Sequence, residues 1–264
     1  MTAQAAAKKR VRLPVKGTEN YAKAWAYLGM LNAERKKRGL SSLKMTEPLL
    51  PVGMRRARDQ LIVFGHTAPT GISALDLIPV SQNGNWAVGE NCAIGPTTAK
   101  GALSSWMNSA AHRKNMLDAR WRSTGIGCFA YKAMDGTTQY CWVQVFSSEE
   151  GTRAEKPDNR AGLFHIVAVP SSCGLQFSFV DWRGKPVKSL SLKVGQTRRL
   201  YVRAWSDSSV YRKLTLPASS VQLKAAGGLV RVEGSAVTGM KRGRATLSAL
   251  FANGQSKSVS LKVK

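Results

Sequence analysis

The sequence has 264 residues, and its 40 Lys/Arg against 15 Asp/Glu give a formal net charge of +25 at pH 7. This length exceeds that of most single domains, so two domains are expected. The sequence lacks the run of about 18 apolar residues that a transmembrane helix needs. It also lacks zinc-finger cysteine spacing, an aromatic RNA-recognition signature and a basic helix leading into a zipper, so nucleic acid is not expected as a partner.

In chain order, the first elements are predicted to be a tail and three helical regions. Residues 1–17 are polar and basic, which predicts an N-terminal tail. Thr18 is predicted to cap an amphipathic helix, since apolar residues recur after it at spacings of three and four. Thr46-Glu47-Pro48 predicts the start of a second helix, with Thr as the cap and Pro in the first turn. A third helical region is predicted over 98–117.

A hairpin follows the helices. The runs Thr124–Tyr131 and Thr138–Phe146 alternate polar and apolar residues, as strands do. Helices followed by a hairpin favour a layered α/β/α unit, so the sequence predicts a first domain over 18–147.

The four cysteines leave their pairing open. If Lys132 and Thr137 close the hairpin turn, Cys128 and Cys141 lie directly opposite each other, and a cross-strand disulfide is predicted. Such a bond favours an oxidising compartment. Cys92 and Cys173 either pair with each other or stay free, and four buried thiols are the alternative for the whole set.

The composition changes after residue 147. Residues 148–162, which contain several Glu residues and a Pro, are interpreted as a linker. Residues 163–264 follow as eight short strand-like runs with turns every 8 to 12 residues, which predicts a β-sandwich. From residue 161 onward the chain has 17 basic and 3 acidic residues. We therefore predict an α+β protein with a basic all-β second domain.

Several short motifs stand in a fixed order in the first domain. They are Phe64-Gly65-His66, Gly89-Glu90-Asn91, Trp106-x-x-Ser109-x-x-His112-Arg113-x-Asn115, Gly125-Ile126-Gly127 and Gln144-Val145-Phe146. Together they resemble the ordered motifs of bacterial CAP (SCP/PR-1-like) domains over about residues 20–147. This resemblance implies an α/β/α sandwich with an open cleft. The C-terminal part, over roughly 185–264, is similar to bacterial Ig-like domains of the Big type.

The CAP resemblance also implies a set of site residues. The family's first His and its Gly-Glu-Asn Glu correspond to His66 and Glu90, and the bacterial Ser-x-x-His-Arg pattern corresponds to Ser109, His112 and Arg113. The two-His, two-Glu set of the eukaryotic branch is incomplete, because Ser109 stands where that branch has Glu and the second His is absent before the final strand. These five residues are predicted to line the cleft as ligand-binding groups.

The chemistry of that site remains open at this point. His66, Glu90 and His112 offer three ligands for a divalent metal such as zinc, and they equally suit a polar network. A Gly-x-Ser-x-Gly elbow and a His-Glu-x-x-His helix are both missing from the sequence. We therefore expect a binding scaffold. The alternatives are a metal-dependent hydrolase of envelope peptide or glycan, and a lipid- or sterol-binding protein.

The expected location is secreted, cell-surface or periplasmic. Ala3-Gln4-Ala5 is typical of the end of a cleavage site, but no apolar signal core precedes it, so we interpret the chain as one from which the export signal is absent. The positive charge favours an anionic envelope polymer or a membrane surface as partner.

Overall fold

The computed structural model describes residues 10–133, 135–206, 214–216, 222–225, 227–250 and 256–264. The helices are α1 (Tyr21–Lys36), α2 (Leu50–Asp59), α3 (Ala99–Met107), α4 (Ala110–Met116) and α5 (Pro170–Cys173), with a 3₁₀ turn at Leu75–Leu77. The strands of the first sheet are β1 (Val11–Glu19), β2 (Lys44–Met45), β3 (Val88–Ile94), β4 (Ser123–Lys132), β5 (Thr138–Ser147) and β6 (Arg160–Ala168). None of the helices within the described ranges is long and apolar enough to cross a membrane.

The first sheet has the order β3-β5-β4-β1-β6, with β2 pairing in parallel to the start of β4. One core lies on the face covered by α1, α3 and α4 and includes Tyr27, Trp106 and Trp142. The other core lies on the face covered by α2 and includes Val143 and Val145. This is the expected mixed α/β arrangement, with helices on both faces of one sheet.

The N-terminal segment differs from the prediction. Residues 1–9 lie outside the described ranges, but Val11–Glu19 is a strand instead of the tail predicted for 1–17. Val11, Leu13 and Val15 are buried, while Arg12 and Lys16 are exposed. The pattern was hard to detect because it is short, contains a proline and pairs with a segment about 150 residues away.

Residues predicted to open the second domain belong to this first sheet as well. β6 pairs antiparallel with β1 along nine residues, from Val11 opposite Ala168 to Glu19 opposite Arg160. The predicted boundary at residue 163 therefore falls inside a strand of the α/β sheet. Residues 148–162 were predicted to link two domains, but residues 160–162 belong to β6, and the segment 148–159 connects β5 to β6 within the same sheet.

The predicted helix starts also shift. The N-cap of α1 is Asn20, whose side chain accepts from the Lys23 backbone N–H, and not Thr18, which lies in β1. The second helix begins at Leu50 and not at Thr46. The region predicted as one helix over 98–117 is two helices, α3 and α4, separated at Asn108 and Ser109.

The C-terminal region is built of strands, as its alternation predicted. They are β7 (Gln176–Val180), β8 (Ser189–Leu192), β9 (Thr197–Arg199), β10 (Tyr201–Trp205), β11 (Leu214–Leu216), β12 (Gln222–Ala225), β13 (Val230–Glu233), β14 (Ala236–Gly239), β15 (Gly243–Leu250) and β16 (Ser256–Val263). They form sheets of order β11-β10-β7, β12-β15-β16-β8 and β13-β14-β9. An Ig-like topology stays a prediction.

The two regions share contacts and core. The backbone N–H of Thr215 donates to the Tyr131 hydroxyl at 2.8 Å, and the Ser206 hydroxyl donates to the Ile62 carbonyl. The apolar core on the α2 side of the first sheet continues into the C-terminal strands, including Phe177 and Leu214.

Candidate functional site

Glu90 lies at the centre of the candidate site. It is on β3, the edge strand, where it pairs with Val145 and therefore faces α2. Its side chain is fully buried. The Arg56 Nε atom donates to Glu90 Oε1 at 2.9 Å, and His66 Nδ1 lies 2.9 Å from Glu90 Oε2. The carboxylate thus binds a buried guanidinium on one side and an exposed imidazole on the other.

The loop after α2 holds His66 in place. The carbonyl of Gly65 accepts from Arg56 Nη2 at 2.6 Å and from Gln60 Nε2 at 3.2 Å, while the Gly65 N–H donates to Gln60 Oε1. Gly65 has a φ of 132°, a conformation that favours glycine. The Phe64-Gly65-His66 motif is therefore a turn that presents the imidazole to the buried carboxylate.

His112 is fixed to β3 from the other face of the sheet. Asn91 Nδ2 donates to the His112 carbonyl at 3.1 Å. Asn115 Nδ2 donates to the Asn91 side chain at 3.0 Å and to the Glu90 carbonyl at 3.2 Å. The indole of Trp106 lies beside the His112 ring, with 6.3 Å between ring centroids, and its Nε1 donates to the Cys92 carbonyl. The Asn residues of two motifs thus join α4 to the strand that carries Glu90.

Ser109 and Arg113 have other partners. Ser109 occupies the N-cap position of α4, but its hydroxyl makes no capping bond. Arg113 is exposed and donates to the Met107 carbonyl at 2.7 Å, which directs it to the α3–α4 connection. Neither side chain has a recorded bond to Glu90 or to either histidine.

Sequence reasoning missed Arg56 and Gln60. They lie on the same face of α2, four residues apart, and both are buried. The available signal was an Arg at an inward position of an amphipathic helix. A buried Arg needs hydrogen-bond acceptors, and only the folded chain identifies Glu90, 34 residues away, as one of them for Arg56.

The charges of this cluster are coupled. Burial alone would raise the pKa of Glu90, but the hydrogen bond from His66 and the charge of Arg56 lower it overall. The hydrogen bond to Glu90 raises the pKa of His66. Burial, and then the positive charge of His66, lower the pKa of His112. Compared with an ordinary histidine, His66 therefore favours its charged form and His112 its neutral form.

The geometry does not suit a metal at the predicted ligand set. Within the described residues, the side chains whose ligand atoms lie within 4.8 Å of one another are His66, Glu90 and Cys92, and His112 is not among them. His66 Nδ1 and both Glu90 oxygens are already hydrogen-bonded, and the Arg56 guanidinium opposes a further cation. The residues as arranged do not fit the metal.

The predicted disulfides are not formed, since Cys92, Cys128, Cys141 and Cys173 are free. In the hairpin Cys128 opposes Trp142 and Cys141 opposes Phe129, so the two cysteines face opposite sides of the sheet. Burial raises the pKa of Cys92 far above its ordinary value, so its thiol, 3.2 Å from Glu90 Oε2, stays protonated.

The fold and the ordered motifs define a CAP domain. The model of the cysteine-rich secretory protein (CAP) family matches residues 28–146, so this part of the chain is a CAP domain. Two curated Bacillus subtilis (strain 168) proteins are similar to it. "Uncharacterized protein YkwD" is 34% identical over 100 residues, and "Uncharacterized membrane protein YlbC" is 28% identical over 102 residues. The matches cover 37% and 38% of this chain, but only 39% and 30% of those proteins.

Solved structures give weaker matches. An extracellular SCP-domain protein of Bacillus anthracis str. Ames has 22% identity and a TM-score of 0.41, with 51% of this chain and 41% of that chain covered. An outer surface protein of Borrelia burgdorferi has 20% identity and a TM-score of 0.40, with 49% and 94% covered.

Proposed function

We propose that this chain is an extracytoplasmic binding protein whose CAP domain accepts an acidic group between His66 and His112. The observation that carries this proposal is the buried Arg56–Glu90 pair with an exposed imidazole on its outer side. Glu90 fixes the orientation of His66, and its hydrogen bond raises the pKa of His66 and so favours the protonated imidazole. An exposed, oriented imidazolium is a donor for a carboxylate or phosphate.

The exposed part of the cluster favours an anionic ligand over a cationic one. The buried Arg56 pairs with both Glu90 and Asp59, whose Oδ2 lies 3.5 Å from Arg56 Nη1, so the carboxylates face the guanidinium and the exposed His66 imidazole is the group that a ligand meets. His66 Nδ1 is engaged by Glu90, so Nε2 is the nitrogen that a ligand meets. His112, whose pKa is lowered, contributes a neutral imidazole that can donate or accept one hydrogen bond.

A hydrolase is the rival function, and the site gives it less support. Cys92 is a poor nucleophile because burial keeps its thiol protonated. Glu90 is a poor general base because the buried Arg56 lowers its pKa. The cluster of donor atoms from His66, Glu90 and Cys92 is the one feature that favours metal-dependent hydrolysis.

The proposed location and anchor have separate support. The location outside the cytoplasm rests on the CAP family's description as secretory proteins. Because the cysteines are free, a disulfide gives it no support. The C-terminal region, with 17 basic and 3 acidic residues from 161 onward, is proposed to anchor the chain to an anionic envelope polymer.

The experiment is co-sedimentation of the full chain with purified bacterial cell envelopes, with and without added zinc. H66Q and H112Q are compared with H165Q, which removes the third histidine, exposed on β6. We expect less bound protein with H66Q and H112Q, wild-type binding with H165Q, and no envelope fragments in the supernatant by mass spectrometry. Fragments released by the wild type and lost in H66Q would establish the hydrolase instead.

A further inference from the structure

The outer face of the sheet β12-β15-β16-β8 has an unusual composition. Inward residues of this sheet, such as Leu190, Leu247 and Val259, are buried in the core. The outward positions carry hydroxyl and basic side chains. They are Ser189, Ser191, Lys224, Arg244, Thr246, Ser248, Ser256, Ser258, Ser260 and Lys262, together with Leu250. We call this set the hydroxyl face.

The strand register arranges the hydroxyl face in rows. Arg244 lies opposite Lys262, and Lys262 is beside Ser191. The next row, about 7 Å along the strands, is formed by Thr246, Ser260 and Ser189. These two rows line a surface depression with a volume of about 670 Å³, and Lys264 also lines it. A ladder of hydroxyl groups therefore lies beside positively charged side chains.

The face lacks negative charge and rings. Among the outward positions named above, none is a carboxylate or an aromatic residue. On the neighbouring strand, Ser248 lies opposite Lys224, and Arg244 lies opposite Lys262. No ion pair is recorded for Lys224, Arg244 or Lys262 within the described part of the chain. Their charges are thus available to an external anion.

We propose that the hydroxyl face binds a linear phosphodiester polymer without bases, of the poly(glycerol phosphate) type. This inference rests on the anchoring role proposed above and assigns that role to one surface. Lys and Arg attract the phosphates, and Ser and Thr hydroxyls donate to phosphate oxygens, as they do on nucleic-acid backbones. The regular rows suit an extended chain with repeated charge.

A single-stranded nucleic acid suits the face less well. Proteins that bind single strands add aromatic side chains on which the bases stack, and the hydroxyl face offers none. A membrane surface is also less suited, because interfacial binding uses an apolar face with Trp, Phe or Leu, and Leu250 is the single large apolar residue among these outward positions. The chemistry of the face therefore favours a phosphate polymer without rings.

The test uses the full chain and three probes: poly(glycerol phosphate), a single-stranded DNA oligonucleotide, and vesicles containing phosphatidylglycerol. The double variant R244Q/K262Q removes two charges from the hydroxyl face. The control K36Q/K100Q removes the same charge from exposed positions on α1 and α3. A third variant, T246V/S260A, keeps the charge and removes two hydroxyls.

For poly(glycerol phosphate), we expect R244Q/K262Q to raise the Kd about tenfold. The slope of log K against log salt concentration should become shallower by the amount that corresponds to about two phosphate contacts. T246V/S260A should weaken binding about threefold to tenfold, and K36Q/K100Q should change it less than threefold. Equal affinity in R244Q/K262Q and K36Q/K100Q, with wild-type binding intact, overturns the assigned face but not the anchoring role. No binding by the wild type overturns both, and tighter binding of DNA or vesicles overturns the polymer assignment.

Discussion

The guanidinium of Arg56 donates from Nε to Oε1 of Glu90 at 2.9 Å, and neither side chain is exposed to solvent. Removing one partner leaves the other charged group buried without compensation. We expect R56M to lower the free energy of unfolding by about 3–5 kcal/mol, and R56M/E90M to recover part of that loss. Urea unfolding measures both. The exposed Arg120, paired with Asp118, is the control, and R120Q should leave the midpoint nearly unchanged. Equal stability of R56M and the wild type would contradict the argument that Arg56 compensates the buried charge of Glu90.

The pKa values of the two histidines should differ from the ordinary value of 6.5 in opposite directions, with that of His66 higher and that of His112 lower. Glu90 raises the pKa of His66, whereas burial and the charge of His66 lower that of His112. In E90Q the pKa of His66 should fall, and in H66Q the pKa of His112 should rise. Imidazole signals followed by NMR from pH 4 to 9 measure both. Unchanged titration of His112 in H66Q would mean that the two rings do not sense each other.

Asp59 should make stability depend on pH. Burial raises the pKa of this carboxyl from 3.8 to about 6, against the lowering effect of Arg56 and Arg55. Because the pKa of Asp59 is higher in the folded than in the unfolded state, the protonated carboxyl stabilises the fold. This contribution is fully present below pH 3.8 and is lost as the pH rises through about 6. D59N lacks this loss, so its stability relative to the wild type should increase by up to about 3 kcal/mol between pH 4 and 7. A constant difference across that range in urea unfolding would be inconsistent with this carboxyl's being shifted.

The glycines of the Gly125-Ile126-Gly127 motif allow α2 to lie against β4. A Cβ on Gly125 would come within 2.0 Å of the Leu49 carbonyl oxygen, and one on Gly127 within 2.1 Å of the Gly53 carbonyl oxygen. G125A and G127A should each destabilise the fold by about 1–3 kcal/mol or more. G29A is the matched control, because nothing lies within 4 Å of that added Cβ on the exposed side of α1. It should stabilise by about 0.5–1 kcal/mol. Thermal unfolding distinguishes the two cases, and tolerance of G125A would refute the close approach.

The cysteines should remain reduced. Because Cys128 and Cys141 face opposite sides of the hairpin, oxidation cannot join them without breaking the register. We expect four free thiols after unfolding of protein kept in air, counted by a thiol reagent. A count of two would restore the disulfide.

The hairpin shows how an error of one residue in the predicted turn length leads to a wrongly predicted disulfide. The sequence predicted both strands correctly. It placed Lys132 opposite Thr137, but the structure places Lys132 opposite Thr138, with one more residue in the turn. Since side chains alternate, a shift of one residue moves a side chain to the other face. Met134 lies outside the described residues.

Only part of the candidate site was predicted, because some of its contacts join residues that are distant in sequence. The order of motifs located His66, Glu90 and His112, because glycine turns and Asn side chains leave a local signature. Arg56 and β6 were missed, because their partners, Glu90 and β1, are distant in sequence and nothing local specifies them. Local propensity predicts elements well, but a buried ion pair or a long-range strand pairing is decided by the tertiary fold.

The most direct test of the binding site is a titration of the full chain with N-acetylglutamate, followed by the imidazole NMR signals of all three histidines. If the site accepts an acidic group, the signals of His66 and His112 shift together with one Kd, and that of His165 does not move. E90Q should weaken the response, because without Glu90 the pKa of His66 falls. Equal, non-saturating shifts at all three histidines, or no shift at His66, would contradict the proposed site.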